Sequence, residues 1–249
     1  MASFRARLDR FLASAQRISR REVRWLLIKG RVTVDGVPAT DVGQLIHSFS
    51  VIALDGRILQ ARPPVYLVLH KPVGVVSATR DARHVTVLDL VPAELREGLH
   101  LAGRLDINSS GLVLLTNDGV WSRRLTTPGE KVVKTYRVTV QHPITDACIR
   151  AFAEGMYFPF EDLTTQPAVL ERESDCVAWV HLVEGRYHQI KRMFGRFRNP
   201  VLALHRVSIG AVVLDPTLAP GESRMLSESE VQGINLNTHP VGCASRTVL

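Results

Sequence analysis

Residues 101–119 read LAGRLDINSSGLVLLTNDG. An Arg-Leu-Asp triplet leads into Ile107-Asn108-Ser109-Ser110-Gly111, a turn by composition. Then comes LVLLT, a run whose length and content predict a buried strand, stopped by Asn117-Asp118-Gly119. Asp106 therefore belongs on a loop carried by a rigid sheet, where reactive groups are often placed. On the local pattern alone the plainer account is stronger: a carboxylate before a turn caps its own backbone.

Outward from this stretch, alternating and apolar segments predict a sheet. VYLVLHKP is an apolar strand stopped by Pro72, and further strands are expected at 111–116, 132–140, 167–171, 176–183 and 201–209. Helical patterns fall at about 119–126, 145–154, 187–197 and 227–233. This mixed order predicts an α+β domain on a mixed sheet over 61–234. Before it, Leu8, Phe11, Leu12 and then Val23, Leu26, Leu27 recur at helical spacing. Ser19-Arg20-Arg21-Glu22 is a capping box that starts the second helix. RVTVDG and VIALDG each read as a strand ending in an Asp-Gly turn. Two helices and short strands make a separate small unit over 1–60, and ILQARPP (58–64), with its two prolines, is the expected linker. The stretch 235–249 has no periodicity and is expected to be a mobile tail.

The 249 residues suffice for one large domain or two modest ones, and no apolar run approaches the roughly 18–20 residues of a membrane span. No secretory signal is evident, and a cytoplasmic location is expected. Cys148, Cys176 and Cys243 are odd in number and far apart, with no metal spacing. The nine histidines form no HxxxH or HExxH, and neither GxGxxG nor GxxxxGK[ST] occurs, so no metal or nucleotide cofactor is expected.

The net charge of +7 is localised. Residues 1–31 hold nine basic and two acidic side chains, which is the entire excess. Charge confined to one end points to an anionic partner, with Arg20, Arg21 and Arg24 on the outward face of the second helix. A second basic stretch, RYHQIKRMFGRFRNPVLALHR (186–206), contains Arg186, Lys191, Arg192, Arg196, Arg198 and Arg206 and no acid. Ile190, Met193, Phe194 and Phe197 take its apolar face, so its cations are expected to meet phosphates. Tyr136, in the alternating strand EKVVKTYRVTV, means little alone, because tyrosines commonly pack in strands.

Seven separated segments in order resemble the RsuA-type pseudouridine synthases, the small-subunit branch of the RsuA/RluB/RluE/RluF family. RLDRFLASAQRISRREVRWLLIKGRVTVDG resembles an S4 RNA-binding domain. VYLVLHKPVGVVSATRD, AGRLDINSSGLVLLTNDG, KVVKTYRVTV, DLTTQPAVLE, EGRYHQIKRMF and LHRVSIG resemble the synthase domain. The resemblance implies an isomerase that converts a uridine of 16S rRNA, at a uridine-516-type site, to pseudouridine without a cofactor. The partner would be small-subunit rRNA, free or in a partly assembled particle, acted on by a monomer. Asp106 would be the essential aspartate, Lys191 its basic partner and Tyr136 the residue that stacks on the flipped base. Arg104 would occupy the space the base leaves, and Leu204 would line the base pocket. Two departures stand out: Ser109-Ser110 where the family often has threonines, and His70 where many members have Asn. Base chemistry requires the base out of the stack, an aromatic face to hold it and a carboxylate at the sugar. A large-subunit rRNA synthase of the same family and a non-catalytic S4-type assembly factor are the competing readings.

Overall fold

The structure is a computed structural model that describes residues 6–127 and 132–234. The expected tail 235–249 lies outside the described residues. The chain divides into two units, Met1–Pro64 with Asp118–Val120, and Val65–Asn117 with Trp121–Leu249.

In the first unit, α1 (Leu8–Gln16) and α2 (Arg20–Ile28) pack against a four-stranded antiparallel sheet. Leu8, Leu12, Val23, Leu27, Val32 and Ile52 form its core. Ser19 caps α2: its hydroxyl accepts from the Glu22 amide at 3.3 Å, and the Glu22 carboxylate accepts from the Ser19 amide at 2.8 Å. Such a cap is worth about 1 kcal/mol. Strands β1 (Val32–Val34) and β2 (Val37–Pro38) are joined through Asp35-Gly36, both at positive φ. Strands β3 (Ile52–Leu54) and β4 (Arg57–Gln60) repeat the device through Asp55-Gly56. Ile58–Gln60 is thus a strand paired with β3, not the start of a linker. The Pro63-Pro64 pair ends the unit but does not prevent upstream pairing, because an alternating tetrapeptide after Asp-Gly closes a hairpin on its own.

The second unit is built on a nine-stranded mixed sheet. Its main strands are β5 (Tyr66–Lys71), β6 (Ser110–Thr116), β7 (Lys134–Val140), β8 (Val169–Ser174), β9 (Val177–Leu182), β10 (Val201–Ile209) and β11 (Ser223–Met225). Their order across the sheet is β8-β9-β7-β10-β6-β5-β11. His100–Leu101 pairs with β6 and Val212–Val213 with β10. The β6–β10 pair is parallel and its neighbours along this path are antiparallel.

Burial on both faces explains the unbroken apolar run in β6. Leu67, Leu69, Val113 and Leu115 enter one core with Phe152 and Phe194; Val68, Leu112 and Leu114 enter the other with Trp121 and Leu125. The period of two assigns successive residues to opposite faces. Helices α3 (Gly119–Thr126), α4 (Asp146–Glu154) and α5 (Gln189–Gly195) supply these facing side chains, and α6 (Glu228–Gly233) closes the described chain.

Where β6 meets β10, Gly111 has φ +109°, and a Cβ there would lie 2.2 Å from the Arg206 carbonyl oxygen. Only glycine permits this backbone approach. Gly111→Ala is expected to lower unfolding free energy by about 2 kcal/mol or more, through both φ strain and overlap with main chain that cannot yield. A denaturant titration checks this, and an unchanged midpoint would contradict it.

Candidate active site

Asp106 sits in the loop between His100–Leu101 and β6. The Ser109 amide donates to the Asp106 carbonyl at 3.0 Å, so the backbone closes the turn by itself. The carboxylate is free for other partners. Oδ2 accepts from Lys191 Nζ at 2.8 Å, and Oδ1 lies 3.3 Å from His188 Nε2. The capping account suggested by the local pattern is therefore replaced by an ion pair reaching across 85 residues of sequence.

The loop is braced on both sides of Asp106. The Ser77 hydroxyl donates to the Leu105 carbonyl at 2.7 Å and accepts from the Leu105 amide at 3.0 Å. On the other side, the Gly74 amide donates to the Ile107 carbonyl at 2.8 Å. Lys71, fully buried at the end of β5, donates through Nζ to the carbonyls of Ser109 at 2.6 Å and Pro72 at 3.0 Å. A carboxylate fixed this way pays little ordering cost when a substrate arrives. Burial pulls the Lys71 ammonium down to about 8 from the ordinary 10.5, against the opposing pull of Asp106.

Lys191 is placed by α5. Ile190, Met193 and Phe194 are buried in the core that also contains Tyr136, which leaves Lys191 on the side facing Asp106. The turn before α5 is held by Glu184, whose Oε1 accepts from the Gln166 amide and Gln189 Nε2 and whose Oε2 accepts from Arg186 Nε. His188 caps the helix start in the left-handed region, φ 47°, and its ring stacks on Tyr187 at 3.9 Å. A non-glycine residue held there costs of order 1 kcal/mol or more and is found where surroundings impose it.

A narrow cavity of about 80 Å³ opens at Asp106, and Arg104, Tyr136, His188, Lys191 and Leu204 line it. Tyr136 comes from β7 and Leu204 from β10, adjacent strands; both are buried. Arg104 is exposed and its carbonyl accepts from Arg206 Nη1 at 3.2 Å. The pocket thus holds a carboxylate, a cation against it, an aromatic ring and an apolar wall.

The remaining expected residues are placed differently. Arg186 lines the same cavity but is paired with Glu184 at 2.8 Å. Arg192 is outside the lining: it pairs with Glu161 at 2.6 Å and lies over the Phe158 ring at 4.2 Å. The acid-free stretch 186–206 is accordingly neutralised in part by acids from elsewhere in the chain, and Arg206, 2% exposed, is no surface cation. Arg20, Arg21 and Arg24 are exposed on α2 in the first unit. His188, Lys71 and Arg206 were not singled out for this site by the sequence. The HKP and RYHQIK stretches carried the signal, but burial and backbone conformation decide their parts. Among the described residues no cluster of histidine, cysteine and acids could hold a metal ion.

Residues 65–195 match the model of the RNA pseudouridylate synthase family, and residues 6–52 match the S4 domain. The chain belongs to the RNA pseudouridylate synthases and is an isomerase with an S4 domain before its catalytic domain. Among particular relatives, the chain is 52% identical to the ribosomal small subunit pseudouridine synthase A of Pseudomonas aeruginosa, over 90% of this chain and 98% of that one. The enzymes of the same name from Vibrio cholerae and Escherichia coli are each 42% identical, over 92% of this chain and 99% of theirs. A solved pseudouridylate synthase structure superposes with a TM-score of 0.68 at 36% identity, covering 93% of this chain and all of the other.

The buried lysine sets a pH dependence. The folded Lys71 releases its proton near pH 8 and the unfolded one near 10.5, so the unfolded chain binds more protons between those values. Unfolding free energy contributed by this group therefore rises with pH across that window. Denaturant titrations of wild type and Lys71→Met from pH 7 to 10.5 should show the gap between them shifting in favour of wild type as pH rises. A gap independent of pH would contradict the account.

Proposed function

We propose that the protein isomerises one uridine of small-subunit 16S rRNA to pseudouridine at a uridine-516-type site. The observation that carries this reading is the Asp106 carboxylate held 2.8 Å from Lys191 Nζ at the mouth of a pocket walled by Tyr136 and Leu204. The relatives from three organisms, each a ribosomal small subunit pseudouridine synthase, support small-subunit rRNA as the substrate.

The reaction breaks the N1–C1′ bond, turns the uracil and forms C5–C1′; the proton on C5 leaves and N1 gains one. No electrons are exchanged with a second reactant. The target nucleotide leaves the stack and enters the pocket, where the Tyr136 ring offers stacking of about 1–3 kcal/mol. Asp106 acts at the ribose, and covalent attack at C1′ and proton removal from the sugar both use this placement. Lys191 stabilises the carboxylate as an anion in a partly enclosed site. Arg104, exposed beside the pocket, takes the space the base vacates. The first unit serves as an RNA-binding domain: Arg20, Arg21 and Arg24 meet phosphate, giving affinity that falls steeply with salt. The protein works as a cytoplasmic monomer on rRNA, free or in a partly assembled particle; among the described residues no helix is long and apolar enough to cross a membrane.

Tritium release from rRNA labelled at uridine C5 tests this. Small-subunit rRNA, free and with early-binding ribosomal proteins, should release tritium from one site. Asp106→Asn should fold normally and release none. Release from large-subunit rRNA alone would overturn the substrate, and turnover by Asp106→Asn would overturn the assignment of the carboxylate.

A further inference from the structure

A second cavity of about 360 Å³ adjoins the Asp106 pocket, and the two share Arg104, Tyr136, Gly185 and Arg186 in their walls. Its lining adds two cations that the reaction scheme does not use, Lys134 from β7 and Arg206 from β10. Arg206 Nε donates to the Leu112 carbonyl at 2.8 Å, and Nη1 to the Arg104 carbonyl at 3.2 Å and more weakly to the Tyr136 hydroxyl at 3.5 Å. Its Nη2 is buried with no hydrogen-bond partner among the described residues. Lys134 Nζ donates to the Val132 carbonyl at 3.0 Å. Burial, helped by the nearby Arg206, lowers its ammonium to about 8. Among the described residues the one acid in the lining is Glu184, and both of its oxygens are already engaged, with Gln166, Gln189 and Arg186.

A buried Arg206 and a partly buried Lys134 in one cavity, with no free carboxylate there among the described residues, are costly in the free protein. An unpaired guanidinium nitrogen has a strong unmet donor, and the natural acceptor for a guanidinium beside an ammonium is a phosphate oxygen. A polynucleotide with one base inserted at Tyr136 must pass its backbone close by, because the cavity and the base pocket have a common wall.

We propose that this cavity binds a backbone phosphate of the substrate RNA next to the flipped uridine, with Arg206 and Lys134 as its ligands. The assignment rests on the RNA-modifying reading above and adds a site to it. Arg206 supplies a fixed donor, because its other nitrogens are tied to β6 and to the Asp106 loop. A phosphate bound there is therefore in register with the residue that follows Arg104 by two. The site aligns the sugar of the target nucleotide with Asp106, so its loss should appear in turnover as well as in affinity.

The test couples one atom of RNA to one side chain. Short hairpin RNAs carrying the target uridine are made with a neutral methylphosphonate at the linkage 5′ or 3′ of it, and each is assayed with wild type and Lys134→Met. With wild type, one of the two substitutions should lower kcat/KM by roughly ten- to a hundredfold, the range of a charge-assisted hydrogen bond. With Lys134→Met the same substitution should cost several-fold less than it does with wild type, because one of the two ligands is already gone and Arg206 alone remains. Lys134→Gln provides the same comparison if the methionine variant does not fold. Equal losses in both proteins, or no loss at either linkage, would overturn the site. Turnover of the unmodified hairpin by wild type separates this outcome from failure of the pseudouridylation reading. If no RNA is turned over, equilibrium affinities of the same hairpins complete the cycle, with the same two outcomes.

Discussion

The contact between Asp106 and Lys191 joins the two parts of the chain on which the site depends. One is a loop that ends in the most buried strand of the sheet; the other is a short helix seated in the core through Ile190, Met193 and Phe194. Neither partner is deeply buried, so the pair contributes little to stability by itself. Its value lies in placement. A carboxylate at the mouth of a pocket needs a cation that stays put, and Lys191 stays put because its neighbours on α5 are fixed in the core.

The same logic accounts for the buried polar groups around the loop. Ser77, Lys71 and the Gly74 amide satisfy carbonyls at Leu105, Ile107 and Ser109 that a turn cannot satisfy internally. Gly111 then allows β6 to approach β10 closely enough to bring the backbone of Arg206 beside it. Tyr136 and Leu204, on neighbouring strands, meet Asp106 only because this approach fixes how the central strands run. The sheet is thus the instrument that converts a local loop into a pocket, and the helices on both faces keep the sheet in place.

Much of this was legible in the sequence. The capping box at Ser19, the two Asp-Gly hairpins, the apolar run of β6 and the helix over 146–154 are local signals, and local physics decides them. Asp106, Tyr136 and Lys191 were legible only through resemblance, because their meaning lies in a meeting of residues far apart in the chain. Lys71 read as the end of a strand, and its burial follows from the loop folded over it. His188 was one of several scattered histidines, since a left-handed backbone at a histidine has no sequence signature. Arg206 read as part of a basic surface because its burial depends on pairing with a strand more than 90 residues earlier. Ile58–Gln60 were masked as strand by the prolines that follow.

The most direct measurement of the central claim is single-turnover pseudouridine formation on rRNA by Lys191→Met, alongside its affinity for the same RNA. The account predicts a rate lower by about two to three orders of magnitude, the usual cost of losing one fixed electrostatic partner in an active site, with affinity changed only a few-fold. A rate within a few-fold of wild type in a folded variant would contradict it, and would mean that the Asp106 carboxylate acts without its cation.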